Sequence, residues 1–292
     1  MIKRSALPSY LLPTADRRPP TIAVITGAGS GIGRGIALAL ARRGHAVALV
    51  GRRAAALEEV RARCAALGAR AVALPADLAD KTARADLPPQ VRAALGPPGL
   101  LVHAAGLPAG GELRDLTAEA IERAVTTNLT APLALTHAFL ADLTVTRGGV
   151  IVLASLMAEV PFPAATLYSA TKAGLVAGAV ALRYEVRAWG GQILIAYPPG
   201  TATAMTRDMA QAAGVHHYPL ADPDLVGERI VAAFYGGRRE WRGNVSDRAL
   251  TLTYRLAPGL VGRVLAMQRS RIRRMMLAPA RAASVASLED DR

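Results

Sequence analysis

The sequence predicts an α/β protein: a doubly wound parallel sheet covered by helices on both faces, three layers deep, with a helical C-terminal extension. Three observations carry this. Short apolar runs without polar alternation recur from Thr21 onward, as expected of strands buried on both faces. Each run is followed by a longer segment with helical spacing of apolar residues, and right-handed crossovers between such units wind the helices onto both faces. No repeat or low-complexity linker divides residues 21–237, so the alternation belongs to one unit.

In order, TIAVIT, HAVALV, ARAVALP, LLVHAAG, GVIVLAS and QILIAYP read as the buried strands. GIGRGIALALARR, AALEEVRARCAAL, the long stretch LTAEAIERAVTTNLTAPLALTHAFLADL and YSATKAGLVAGAVALRYEVRAW read as the helices between them. Residues 1–20, interrupted by Pro8 and Pro13, are expected to be a flexible leader, being too short and broken for a signal peptide or span. Residues 21–245 form the expected α/β domain. Residues 246–277 form a basic amphipathic extension and 278–292 a tail expected to be disordered.

The net charge is +13, and residues 237–281 hold eleven arginines against Glu240 and Asp247, so +9 of it lies there. An anionic partner for that end is therefore expected to matter. Read as helices separated by Pro258-Gly259, the extension puts Val261, Val264, Leu265, Ile272, Met275 and Met276 on one face and Arg263, Arg273 and Arg274 opposite. Such a face suits either packing on the domain or a second subunit, or peripheral contact with a membrane. Aromatic residues make up 4% of the chain and no DNA- or RNA-binding module is recognisable, which argues against nucleic acid. The single cysteine, Cys64, fits a reducing cytoplasm and a buried structural thiol.

The first strand runs into TGAGSGIGRG. Gly27, Ser30, Gly31, Ile32 and Gly33 lie at a strand-to-helix turn, where small residues let a pyrophosphate approach backbone N–H groups at a helix N-terminus. The second strand ends in Gly51, Arg52 and Arg53, where a carboxylate would suit a free ribose 2′-hydroxyl. Arg52 instead offers a planar fork to a 2′-phosphate, so the expected cofactor is NADP(H).

Only three of the 35 basic residues are lysines, and one of them, Lys172, stands four residues after Tyr168. On a helix the two share a face one turn apart. A free phenol has a pKa near 10. An adjacent ammonium favours the phenolate, and a compact lysine also reaches ribose hydroxyls, which suits a proton relay better than arginine. Ser155, at the end of GVIVLAS, is placed to hydrogen-bond a substrate oxygen.

These residues together resemble the short-chain dehydrogenase/reductases. TGAGSGIG matches that family's glycine motif, Asn128 its helix asparagine, Ser155 its serine, and Tyr168 with Lys172 its YxxxK pair. The separations are 27, 13 and four residues, and the resemblance covers residues 21–237. It implies a Rossmann-type fold and a carbonyl reductase that interconverts a ketone and a secondary alcohol. Asn128, Ser155, Tyr168 and Lys172 would be catalytic, with Asn128 positioning a water beside Lys172. It also implies that Asp77 and Leu78 meet adenine. Ala104 and Gly106 would flank the cofactor, and Pro199, Gly200, Ala202 and Thr203 (or Thr201) would meet the carboxamide. A homo-oligomer paired through the helices of Asn128 and Tyr168 is implied as well. Where the family usually has Asn-Asn-Ala-Gly, this chain has His103-Ala104-Ala105-Gly106, and His103 is expected to be a packed replacement.

In the loop after Gly200, Met205, Met209 and Tyr218, with Phe162 upstream, offer an apolar surface, so a fairly apolar substrate is expected. Arg207 is the candidate partner for a carboxylate. His216-His217 lacks companion ligands, and no metal is expected. YPPGTATAM with the basic extension is similar to family members that reduce long-chain keto lipids, such as 3-ketodihydrosphingosine reductases. The rival of another class is a non-enzymatic NADP sensor, which an intact Ser-Tyr-Lys set argues against.

Overall fold

Strands β1 (Ile22–Thr26), β2 (Ala46–Gly51), β3 (Ala71–Pro75), β4 (Leu100–His103), β5 (Gly149–Leu153), β6 (Gln192–Tyr197) and β7 (Glu240–Arg242) pair in the order β3-β2-β1-β4-β5-β6-β7. Every pairing is parallel. This is a computed structural model, and it describes residues 22–212 and 220–277. The expected leader (1–20) and tail (278–292), and His216, His217 and Tyr218, lie outside the described residues.

Alternate strand residues point to opposite faces. On one face Ile25, Leu49, Val102, Ile151 and Leu194 pack against α1 (Gly31–Arg42), α2 (Ala54–Ala66) and α8 (Pro223–Tyr235). On the other, Val24, Val50, Leu101, Val152 and Ile195 meet α3 (Lys81–Ala94), α5 (Ala131–Val145) and α6 (Thr166–Val186). Each fully buried Leu or Ile contributes about 1.5–3 kcal/mol, which is why unbroken apolar strands fix this layering. Cys64 is buried on α2 and burial pushes its thiol up to about 11, so it is a core side chain.

Three elements depart from the expected pattern. The stretch expected as one long helix is α4 (Ala118–Val125), a π-helical turn over Thr126–Thr130, and α5. Helix α3 forms although Pro88 and Pro89 lie within it; Asp80 caps it by accepting from the Thr82 N–H, and Pro88 is buried. Strand β7 is three residues long with only Trp241 buried, too short to show a period.

The extension comprises α9 (Val245–Leu256), α10 (Pro258–Met267) and a further helical stretch over 269–277. Pro258 is the first residue of α10 rather than a separator, because a missing N–H costs nothing in a first turn. The single wheel drawn for the extension also fails, since the helix breaks at Gln268. Val261, Ile272 and Met276 are buried, the last two against the domain, while Leu265 and Met275 are half-buried and Val264 is exposed. Glu159, just beyond β5, anchors the extension by accepting from Arg242, Arg255 and Thr251. Burial opposes ionisation of Glu159, but the Arg242 hydrogen bond and charge outweigh it and leave the carboxyl below its ordinary range. Among the described residues no helix is long and apolar enough to cross a membrane.

Candidate active site

The strand order reverses between β1 and β4, and the crevice at their C-terminal ends is where an open α/β sheet holds its ligand. The glycine turn lies at this point because backbone fills the space side chains would need. Gly27 and Gly31 have φ of +67° and +53°, values that favour glycine. A β-carbon on Gly33 would stand 2.2 Å from the Gly27 carbonyl oxygen, and one on Gly31 would stand 2.9 Å from Thr203 Cγ2. The turn and the segment after β6 therefore close on the same space. Ser30 is the N-cap residue of α1, and Ile32 lies in its first turn.

Thr26 ties β1 to β4 at this end. Its Oγ1 donates to Val102 O (3.1 Å) and accepts from the Ala104 and Ala105 N–H groups (3.1 and 3.2 Å). With His103 and Ala104 where the resembled family has asparagines, β4 is tied to β1 through Thr26. His103 is buried, with Nε2 2.8 Å from Thr136 Oγ1. That hydroxyl donates to Pro132 O at 2.8 Å, so His103 Nε2–H is the donor. Burial, then the charge of Lys172, lowers the imidazole to about 3, and His103 stays neutral.

The four residues expected to be catalytic come together at the adjoining edge. Asn128 is fully buried within the π-helical turn, a placement typical of functional helix irregularities. Its Oδ1 accepts from the Leu107 N–H (2.7 Å), and its amide donates to Leu107 O (3.1 Å) and Thr171 Oγ1 (3.3 Å). Lys172, one helical turn after Tyr168 on α6, is buried and donates to Leu153 O at 2.9 Å. Its Nζ lies 5.9 Å from the centre of the Tyr168 ring. Asn128 Oδ1 and Lys172 Nζ each stand 3.6 Å from where a β-carbon on Gly106 would be, so glycine keeps this corner open. Ser155 accepts from the Met157 N–H (3.2 Å), and its hydroxyl lies beside the Tyr168 phenol, whose ionisation it favours.

The electrostatics differ from the sequence expectation in one respect. Burial raises the Tyr168 phenol above its ordinary value, opposed by the Ser155 hydrogen bond, and the ammonium does not pull it down. Burial instead lowers Lys172 to about 8. The cause is shared: Lys172 is buried and Tyr168 is half-buried among apolar side chains, and loss of water disfavours phenolate and ammonium alike.

The remaining cofactor-side candidates vary. Arg52 is exposed and has no ion-pair partner among the described residues, while Asp77 is bonded by Arg123 and the Ala79 N–H and feels the charge of Arg52. Leu78 is buried. After β6, the Ala202 N–H donates to Ala221 O (2.9 Å) and Ala221 N–H donates to Gly200 O (2.8 Å). Thr201 Oγ1 donates to Pro199 O (2.7 Å), so in this structure the Ala202 donor expected for a carboxamide is engaged within its own loop. Thr203 Oγ1 shares a 2.7 Å hydrogen bond with Thr206 Oγ1. Arg207 is exposed.

Over the site the extension's stripe packs on the domain as a roof, one of the two uses the sequence offered for it. Ile272 and Met276 pack with Ala165, Met157, Phe162 and Met209. Met157 follows Ser155 by two positions, and Ala165 precedes Tyr168 by three. A β-carbon on Gly110 would stand 2.1 Å from Met276 O, so the extension's backbone lies directly on the loop after β4. Arg269 bonds Glu112 (2.9 Å), and Arg273 lies 3.5 Å from both Glu112 and Asp115. The hydrogen bonds of Arg114 and then Arg269 hold Glu112 down at about 2.

The family model described as short chain dehydrogenase matches residues 21–214. The hydroxysteroid 11-beta-dehydrogenase 1-like protein of Xenopus tropicalis is 33% identical over 233 residues, 76% of this chain and 79% of that protein. The glycine betaine reductase ATRR of Emericella nidulans is 32% identical over 219 residues, 73% of this chain but only 17% of that far longer protein. Among solved structures, a short-chain dehydrogenase from Sphingobium yanoikuyae in complex with NADPH superposes with a TM-score of 0.70 at 28% identity, covering 84% of this chain and 96% of that one. With the expected parallel sheet, the family match over residues 21–214, and Ser155, Tyr168 and Lys172 meeting at the sheet's C-terminal edge, the chain belongs to the short-chain dehydrogenase/reductase family of oxidoreductases.

Proposed function

We propose that this chain is an NADP(H)-dependent carbonyl reductase acting on an apolar ketone, with oxidation of the secondary alcohol as the reverse. The observation that carries the reading is the Tyr168 hydroxyl beside Ser155, with Lys172 one helical turn away, next to a glycine turn with no room for side chains. The cradle fits a dinucleotide: a β-carbon on Gly27, Gly31 or Gly33 would meet other atoms within 3.0 Å, and Arg52 is a free guanidinium for a 2′-phosphate. NADPH, when bound, supplies a hydride to the carbonyl carbon. Tyr168 Oη–H gives its proton to the carbonyl oxygen, and Ser155 holds that oxygen as charge develops on it. Lys172 holds positive charge near the phenol, and Asn128 fixes the turn that backs it. Burial keeps the phenol above its ordinary value, so at neutral pH it carries the proton that carbonyl reduction requires of it. The test is NADPH oxidation against ketones of increasing chain length. Tight NADPH binding without turnover of any ketone or alcohol would favour the sensor reading instead.

Two expected outcomes follow from particular side chains. Arg52→Ala should raise the KM for NADPH by about 10- to 100-fold, the worth of a charge-assisted fork, and leave the KM for NADH within about twofold. Equal losses for both cofactors would show that Arg52 does not read the phosphate. Gly110→Val should displace the 269–277 helix, because the added atoms meet Met276 O at bonding range. The kcat/KM for long apolar ketones should then fall by about tenfold or more, with short ketones changed less than about threefold. A uniform loss across chain lengths, or none, would show that the roof does not contact substrate.

A further inference from the structure

We propose that the outward face of α9 and α10 is a docking surface for an anionic phospholipid membrane. The helix face that the sequence offers for such contact is largely spent elsewhere, since Val261 is buried and Ile272 and Met276 are buried against the domain. A second apolar face remains. Val245, Leu252 and Leu256 on α9 and Leu260, Val264 and Met267 on α10 are exposed. Of the twelve large hydrophobic side chains exposed among the described residues, six fall in this 23-residue stretch, so the patch is not ordinary surface scatter.

The spacing sets the geometry. Positions 245, 252 and 256 share one side of α9, and 260, 264 and 267 share one side of α10. The inward sides differ: Thr251 on α9 is buried with its hydroxyl on Glu159, and Val261 is the buried residue of α10. A helix that has satisfied its inward stripe normally turns polar residues to water, whereas these two turn leucine, valine and methionine. Residues 245–277 carry seven arginines against Asp247, and Arg248, Arg263, Arg271 and Arg274 are exposed with no ion-pair partner among the described residues. A cleft of about 390 Å³ is lined by Leu252, Thr251, Glu240, Arg242, Arg255 and Arg248; Arg242 and Arg255 are held by Glu159, which leaves Arg248 to meet a phosphate headgroup.

Apolar side chains flanked by free arginines complement a surface that is apolar within and anionic at its rim. A second copy of the chain complements it poorly, because a two-fold contact through the patch faces arginine with arginine. Nucleic acid would use the arginines but leave the leucines in water. This proposal does not depend on the reaction assigned above.

The experiment is flotation of the full chain with phosphatidylcholine vesicles, with and without about 30% phosphatidylglycerol, at low and at about 0.5 M salt. The chain should float with the anionic vesicles, bind neutral ones at least about tenfold more weakly, and be released by salt. Leu256→Asp with Leu260→Asp should cut binding about tenfold or more, and Arg263→Glu with Arg271→Glu about fivefold per charge. Both variants should keep the parent melting temperature and NADPH turnover, which separates docking from folding and catalysis. Absence of flotation on anionic vesicles, equal binding to both compositions, or undiminished binding by the arginine variant would overturn the proposal. A leucine variant that changes the mass in solution would assign the face to a second copy.

Discussion

Replacing Tyr168 by phenylalanine should lower kcat for ketone reduction by about 10²- to 10⁴-fold while leaving NADPH affinity within about threefold. The hydroxyl is the group that can hand a proton to a substrate oxygen held by Ser155, and the ring itself packs with Ala109, Ala124 and Leu167. Tyr168→Phe keeps that packing and removes one oxygen, so the fold should change in stability by less than about 1 kcal/mol. Single-turnover kinetics with NADPH already bound separates the chemical step from binding. Ser155→Ala should reduce the same step, and the double variant should lose little more than the worse single one, because groups that act as a unit are not additive. Tyr168→Phe turning over at the parent rate would remove the acid from the proposed reaction and leave the pair without a catalytic role.

Much of this was legible in the sequence for a physical reason. Buried parallel strands need unbroken apolar runs, and all six that were read fall within the sheet, in one register with their neighbours. The pyrophosphate turn was legible because its glycines answer to local backbone geometry. What was missed depends on long-range contact. Thr26 looks like any strand-end threonine until its hydroxyl meets the end of β4. Gly110 looks like loop filler until Met276, far along the chain, lies against it. The π-helical turn at Asn128 leaves no periodic trace, being a single extra residue within an otherwise helical pattern. Helix α8 did carry a local signal: Asp222-Pro223 is a cap followed by a first-turn proline, and Asp222 accepts from the Asp224 and Leu225 N–H groups. The direction of the Tyr168 shift was beyond the sequence, since spacing shows that a lysine is near but not that both groups are withdrawn from water.

That withdrawal makes Lys172 a group whose charge the fold tolerates at a cost. Its folded-state pKa, about 8, lies below the ordinary 10.5, and burial is the cause. For a cation depressed in this way the unfolded chain binds more protons between those two values. Stability therefore rises as pH climbs through that window and is lowest below it. The size is on the order of 3 kcal/mol, partly offset by the hydrogen bond to Leu153 O. Lys172→Met cannot titrate, and every other ionisable group is common to both chains. In urea melts, the stability of Lys172→Met relative to the parent should fall by about 2–3 kcal/mol between pH 7 and pH 10, because only the parent gains stability over that range. A relative stability that does not change with pH would show that the lysine is not buried as a strained ammonium. The same substitution should cost about 10²-fold or more in kcat, with the loss persisting at saturating NADPH. An arginine at 172 would stay charged throughout and titrate nowhere near neutrality. A site that stores positive charge against desolvation, to be repaid by hydroxyls and a nearby phenolate, is therefore served by one of the chain's three lysines and by none of its arginines.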